Sequence, residues 1–124
     1  IQPNIKAIIM TASVSAHNGA EFPEYCASKG GVLAYTKNVA LRVAKYGATC
    51  NSISAGGVIT ELNAHILENK SLWDQVMAET LIPKWATVEE MAEWTYFLAV
   101  VNKSMTAQDV LIDNGEIAKA NFVW

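Results

Sequence analysis

Tyr25 and Lys29 stand four residues apart in the run Tyr25-Cys26-Ala27-Ser28-Lys29. On a helix, residues at i and i+4 project from one face. An ammonium beside a phenol favours the phenolate, and can draw a tyrosine down from about 10 toward working pH. A phenol so tuned can give a proton to a ketone oxygen, or take one from an alcohol, while hydride moves at carbon. Ser13 precedes this pair by twelve residues. A hydroxyl there can hydrogen-bond the same substrate oxygen and stabilise the charge that develops on it. Each piece is common by itself: a Tyr-x-x-x-Lys pair is a weak signal, and a lone serine is more often a turn or cap residue. The weight lies in their joint position.

Those residues need a frame. Ala7-Ile8-Ile9-Met10 is a short, unbroken apolar run and reads as a strand buried on both faces, as a parallel sheet requires. Thr11 to Glu21 is small and polar and reads as a loop. Pro23 suits the first turn of a helix, where its missing N–H costs nothing. From Glu24 to about Tyr46 the apolar residues Val32, Tyr35, Val39 and Val43 recur at helical steps. Gly30 and Gly31 inside this run each weaken a helix by about 1 kcal/mol against Ala, so the pair predicts close packing against another backbone. Gly47 ends the helix.

Thr49 to Ser54 reads as a second strand, with a glycine-bearing loop, Ala55 to Thr60, at its carboxyl end. Glu61 to Thr80 reads as one or two helices with a break near Asn69. Thr87-Val88-Glu89-Glu90 spells a capping box that opens a helix through about Val101. Val110-Leu111-Ile112 is a third buried strand. Long crossovers between buried strands predict an α/β fold with a parallel sheet, and ligands on such sheets bind at the carboxyl ends of the strands. Three strands make a narrow sheet with an open first edge, which predicts further structure upstream of Ile1.

Composition narrows the function classes. The chain has 124 residues, is 52% hydrophobic and carries a formal net charge of -3. Its nine Lys and Arg are scattered, which argues against a nucleic-acid partner. No apolar stretch is long enough for a membrane span, and the first residues do not read as a signal peptide, so the expected location is cytoplasmic. Cys26 and Cys50 lack metal-ligand spacing and read as two buried, reduced thiols. His17 and His65 have no partners at ligand spacing, so no metal site is expected.

Five stretches together resemble the classical short-chain dehydrogenase/reductase family over nearly the whole chain. Ile8 to Val14 resembles the strand that ends at the family's serine. Tyr25-Cys26-Ala27-Ser28-Lys29-Gly30-Gly31 is similar to its Tyr-x-Ala-Ser-Lys-Gly-Gly pattern. Asn51 to Thr60 resembles Asn-x-Ile-x-Pro-Gly-x-Val-x-Thr, Pro83 to Leu98 resembles the region of the Pro-Glu-Glu-[Ile/Met]-Ala helix start, and Thr106 to Gly115 resembles the closing Thr-Gly-Gln strand. The resemblance implies the C-terminal half of a Rossmann-type doubly wound parallel sheet with three αβα layers. Residues 1–124 would be the catalytic and substrate half of one NAD(P)-binding domain, with the N-terminal cofactor-binding half absent.

The implied activity is NAD- or NADP-dependent interconversion of a secondary alcohol and a ketone. Tyr25 would be the acid/base, Lys29 would lower its pKa and bind the nicotinamide ribose, and Ser13 would orient the substrate oxygen. The backbone of Val58 would meet the carboxamide, Thr60 would sit near the carboxamide or pyrophosphate, and Gly56 and Gly57 would let the chain approach the cofactor. Ser15, His17, Asn18 and Phe22 are candidate pocket residues. Leu62, Ile66, Leu67, Leu72, Trp73 and Met77 would form an apolar lid, which favours a hydrophobic substrate such as a hydroxysteroid.

A 3-oxoacyl-thioester reductase of the same superfamily and a non-catalytic binding protein are the alternatives. The family's habit implies a homotetramer assembled through the Tyr25 helix and the last strand, and Asn121 to Trp124 is expected to dock on a neighbouring subunit. Ala55 stands where the family usually has Pro, and Ala107 and Asn114 where glycines are common. The phosphate-binding glycine loop and the family's Asn-Asn-Ala-Gly motif are not found. The 124-residue piece alone is therefore expected to be inactive.

Overall fold

The computed structural model describes residues 6–120. Three strands, β1 (Ala7–Thr11), β2 (Thr49–Ala55) and β3 (Asp109–Ile112), form one parallel sheet in the order β1-β2-β3. Five helices connect or cover them: α1 (Ser15–Asn18), α2 (Pro23–Val43), α3 (Ala64–Leu67), α4 (Lys70–Met77) and α5 (Val88–Tyr96). The α/β architecture expected from the strand and helix order is the one observed.

The register explains the core. Ile8 lies opposite Cys50 and Met10 opposite Ser52, so these side chains share the face that α2 covers. Ala40, Val43, Ala48 and Cys50 are buried there, with Ile8, Met10 and Val39 packed against them. Leu98, 1% exposed, belongs to the turn that continues α5 and packs on β1.

Burial along the strands reverses one expectation. Apolar β1 is only half-buried, with Thr11 exposed, because it is the edge of the sheet. The more polar β2 is central, and Cys50 to Ser54 are all buried. Its polar side chains are bonded rather than stranded. The Asn51 amide donates to the Met105 carbonyl at 2.9 Å and its oxygen accepts from the Gln108 N–H at 3.1 Å. Buried polar groups are tolerated on those terms.

Three local features depart from the sequence reading. The loop after β1 contains the short helix α1, whose first turn uses Ser13: its Oγ accepts from the Ser15 N–H at 3.2 Å. Gly30 and Gly31 face open space, with no atom within 4 Å of an added Cβ, so the described chain packs nothing against them. After Tyr96 the helix widens into a π turn over Phe97–Val101, closed by the Asn102 N–H to the Phe97 carbonyl at 2.8 Å. At the helix caps the reading and the structure coincide. Gly47 caps the turn after α2 with φ 70°, and Thr87 and Glu90 form the reciprocal capping box of α5. Cys50 is buried as expected, whereas Cys26, expected to be buried, is only half-buried near the start of α2; both are free thiols. The expected docking segment Asn121 to Trp124 lies outside the described residues.

Candidate active site

The carboxyl ends of β1 and β2 open onto a cavity of about 630 Å³ lined by both Ser13 and Tyr25. Each is brought there by a different device. The strand places Ser13: Ala12 N–H donates to Ile53 at 2.8 Å and Val14 N–H to Ala55 at 3.0 Å, so Ser13 is pinned between two bonds to β2. Its side chain is buried, at 8% exposure. The start of α2 places Tyr25, two residues after Pro23 fixes the first turn. Tyr25 is 42% exposed, as a group that must meet a ligand requires.

Lys29 follows one helical turn on. Its Nζ lies 5.7 Å from the centroid of the Tyr25 ring and donates to the Thr11 carbonyl at 3.1 Å. That bond ties α2 to the end of β1, and among the described residues it leaves the remaining ammonium protons without a partner.

The loop after β2 forms the floor. Ala55, Gly56, Gly57 and Val58 all line the cavity. The two glycines are close to protein. A Cβ on Gly56 would meet Asp113 Cβ at 2.8 Å and its Cα at 2.9 Å, and one on Gly57 would meet the Trp85 ring at 2.1 Å. Trp85 in turn packs edge-on against Trp73, with ring centroids 5.3 Å apart. Val58 is held by a bridge to Ala86, and its carbonyl accepts from Asn63 Nδ2 at 2.8 Å. Among the described residues the Val58 N–H has no partner, so that donor is available to a bound carboxamide. The residues present therefore fit a nicotinamide: a free backbone donor and a phenol on one cavity, with the Lys29 ammonium outside the lining, behind the phenol.

Other expected pocket residues divide. Ser15 and Phe22 line the cavity. His17 does not: its Nε2 turns to Asp109 Oδ2 at 2.7 Å and Ser54 Oγ at 3.3 Å, on the α2 side of the sheet. Asn18 folds back to accept from the Ala20 N–H at 3.0 Å. Thr60 borders a separate shallow hollow with Ile59 and Glu61. Of the expected lid, Ile66 reaches the cavity, whereas Leu62 is 89% exposed.

The sequence reading missed Glu21, Glu79 and Glu116, which line the same cavity from three distant loops. No spacing rule joins them. It also missed Asp109, whose Oδ1 accepts from Ser52 Oγ at 2.6 Å and Ser54 Oγ at 2.9 Å. The alternation of β2 is the one signal that could have placed those two serines on a common face.

The family model described as "Enoyl-(Acyl carrier protein) reductase" matches residues 1–116. The chain belongs to the short-chain dehydrogenase/reductase family. It is 28% identical over 110 residues to the L-rhamnose 1-dehydrogenase (NADP(+)) of Thermoplasma acidophilum, covering 87% of this chain and 43% of that protein. It is 31% identical over 112 residues to the 3-oxoacyl-(acyl-carrier-protein) reductase FabG of Chlamydia pneumoniae, covering 88% of this chain and 44% of that one. Among solved structures, 4-hydroxyisoleucine dehydrogenase complexed with NADH superposes with a TM-score of 0.84 at 29% identity, over 95% of this chain and 49% of that chain. This member of the family thus spans a little under half the length of the curated relatives it matches. No helix among its described residues is long and apolar enough to cross a membrane.

Proposed function

We propose that this chain is the catalytic half of an NAD(P)-dependent oxidoreductase that interconverts a secondary alcohol and a ketone. The observation that carries the reading is the meeting of the Ser13 hydroxyl and the Tyr25 phenol on one cavity, with the Lys29 ammonium one helical turn behind the phenol. When bound, the nicotinamide supplies hydride to the carbonyl carbon, or accepts it from the carbinol carbon.

The residues do the remainder. In the reducing direction Ser13 donates a hydrogen bond to the carbonyl oxygen and polarises it. The Tyr25 hydroxyl delivers its proton to that oxygen as the C–O bond gains charge, leaving a phenolate that Lys29 stabilises. In the oxidising direction the phenolate takes the alcohol proton. The Lys29 protons not engaged by Thr11 would bind the ribose, and the Val58 N–H would hold the carboxamide. Gly56 belongs to the same wall, and Thr60 would meet the cofactor only from the separate hollow it borders.

An N-terminal cofactor-binding half is part of the proposal, as is a homotetramer. The assembly is supported by the bare surface over Gly30 and Gly31 and by Leu41 at 79% exposure on α2. A cytoplasmic setting is supported by two free thiols. Val14, Phe22, Ile66, Val76 and Trp85 give the cavity an apolar wall, which favours a hydrophobic alcohol of hydroxysteroid type over a small polyol. Reduction of a 3-oxoacyl thioester, the chemistry named for the FabG relative, is the competing substrate reading.

The test is steady-state oxidation and reduction of steroid, sugar and acyl-thioester substrates by the complete protein with NAD(H) and NADP(H). Turnover that needs Tyr25 is expected. Full activity in Tyr25→Phe would overturn the mechanism and favour a non-catalytic role for the phenol.

A further inference from the structure

We infer that the cavity holding Ser13 and Tyr25 selects substrates that present hydrogen-bond donors beside the reacting carbinol and carry no anion there, with Glu116 as the principal selector. The inference rests on the function proposed above and concerns the same site.

Three carboxylates line this cavity, Glu21, Glu79 and Glu116, and among its described lining residues there is no Lys, Arg or His. They come from the loop before α2, the end of α4 and the turn after β3, so no local helix or loop motif explains their convergence. None is neutralised: the ion pairs among the described residues are His17–Asp109, Lys70–Asp74 and Lys84–Glu90. The nearby Lys119 directs its ammonium to the carbonyls of Ala78 and Thr80.

Glu116 is the one that counts most. Glu21 and Glu79 are exposed, and water and salt screen them. Glu116 is half-buried against the cavity floor, its Oε2 3.1 Å from the position a Cβ on Gly56 would take. Burial pushes its carboxyl up, and the charges of Glu79, Asp113 and Glu21 push it further the same way. Asp113, the other acid beside it, is already committed to its turn: its two oxygens accept from the Gly115 and Ile117 N–H groups, each at 2.9 Å. Glu116 has no such partner among the described residues, and it lines the cavity.

An ionised carboxylate only accepts hydrogen bonds. A substrate hydroxyl or ammonium therefore gains a charge-assisted bond at this wall. A substrate carboxylate or phosphate at the same place meets like charge with no counter-ion, which is discrimination by repulsion. The apolar wall formed by Phe22, Ile66 and Trp85 on the same cavity is indifferent to that charge. An aromatic or alicyclic body with a donor next to its carbinol matches both walls.

Three secondary alcohols with one aromatic body separate the cases: 1-phenylethane-1,2-diol, 2-amino-1-phenylethanol and mandelate. They are compared as substrates of the complete enzyme with cofactor, and as ligands by calorimetry whether or not they turn over. We expect the diol and the amino alcohol to exceed mandelate at least about tenfold in kcat/KM and in affinity, and the better of the two names the preferred donor. Glu116→Gln should narrow the gap to mandelate at least about threefold, and 0.5 M salt should narrow it less. Mandelate handled as well as the diol, or a gap unchanged in Glu116→Gln, overturns the inference. Activity surviving in Tyr25→Phe would instead sink the catalytic reading, and the calorimetric order would still decide this one.

Discussion

Two polar clusters border the same three-stranded sheet, and they are built on opposite terms. On the α2 side, Asp109, the first residue of β3, accepts from Ser52 Oγ at 2.6 Å and Ser54 Oγ at 2.9 Å and pairs with His17 Nε2 at 2.7 Å. Each hydroxyl there has an acceptor and the carboxylate has donors on both oxygens. At the cavity, Ser13 and Tyr25 line the opening, and Glu116 meets other acids in place of donors. The first cluster closes on itself and fastens α1 to β3. The second leaves its bonding capacity for something else. Satisfied polar groups hold a fold, whereas exposed acids and hydroxyls with unfavourable neighbours in a cleft are candidates for chemistry.

The sharpest way to break this contrast is at Tyr25. Tyr25→Phe in the complete protein should lower kcat/KM by about a thousandfold, within the usual range for loss of general acid–base catalysis, while the thermal midpoint stays put. Asp109→Ala should do the reverse. It strands two buried hydroxyls and the His17 ring, so urea denaturation should show a loss of about 3 kcal/mol. If Asp109→Ala instead cost activity with no loss of stability, the two clusters would have been assigned the wrong way round.

Gly56 forms the cavity floor and touches the Asp113 turn. Gly56→Ala should cost about 1–3 kcal/mol, because its methyl meets backbone that cannot swing aside. Glu116 gives a smaller effect with a definite sign. Its pKa is raised in the folded protein, so the native state holds its proton longer than the unfolded chain does. The contribution is fully present below the unfolded pKa and is lost as pH rises through the folded one. Thermal midpoints of Glu116→Gln should therefore exceed the parent at pH 7 and match it near pH 3.5. Smallest of all, Ala107 holds φ 62°, in the left-handed region that favours glycine. Ala107→Gly should stabilise by about 0.5–1 kcal/mol, measured in urea.

Much of the frame was legible because it depends on local rules. The Thr87 capping box, the Pro23 helix start and the Gly47 cap each act within one turn, and each lies where the spacing puts it. Burial was less legible. An apolar run reads as interior, yet β1 is the edge strand and the Thr, Asn and Ser of β2 occupy the centre. The outcome depends on neighbours distant in the chain, such as Met105 and Asp109, that supply the missing bonds. His17 illustrates the same limit. Four residues after Ser13 it reads as a pocket residue, but α1 carries it away from the cavity to Asp109, ninety-two residues on.

The sequence by itself determined the pairing of Tyr25 with Lys29, because helical periodicity alone sets residues four apart on one face, and it determined the order of strands and helices. Only the tertiary structure decided that Ser13 and Tyr25 share a cavity, and that Glu21, Glu79 and Glu116 charge its wall. Such contacts join segments separated by up to most of the chain. No short-range rule reaches that far; the parallel register and the packing of the loops at the strand ends bring them together.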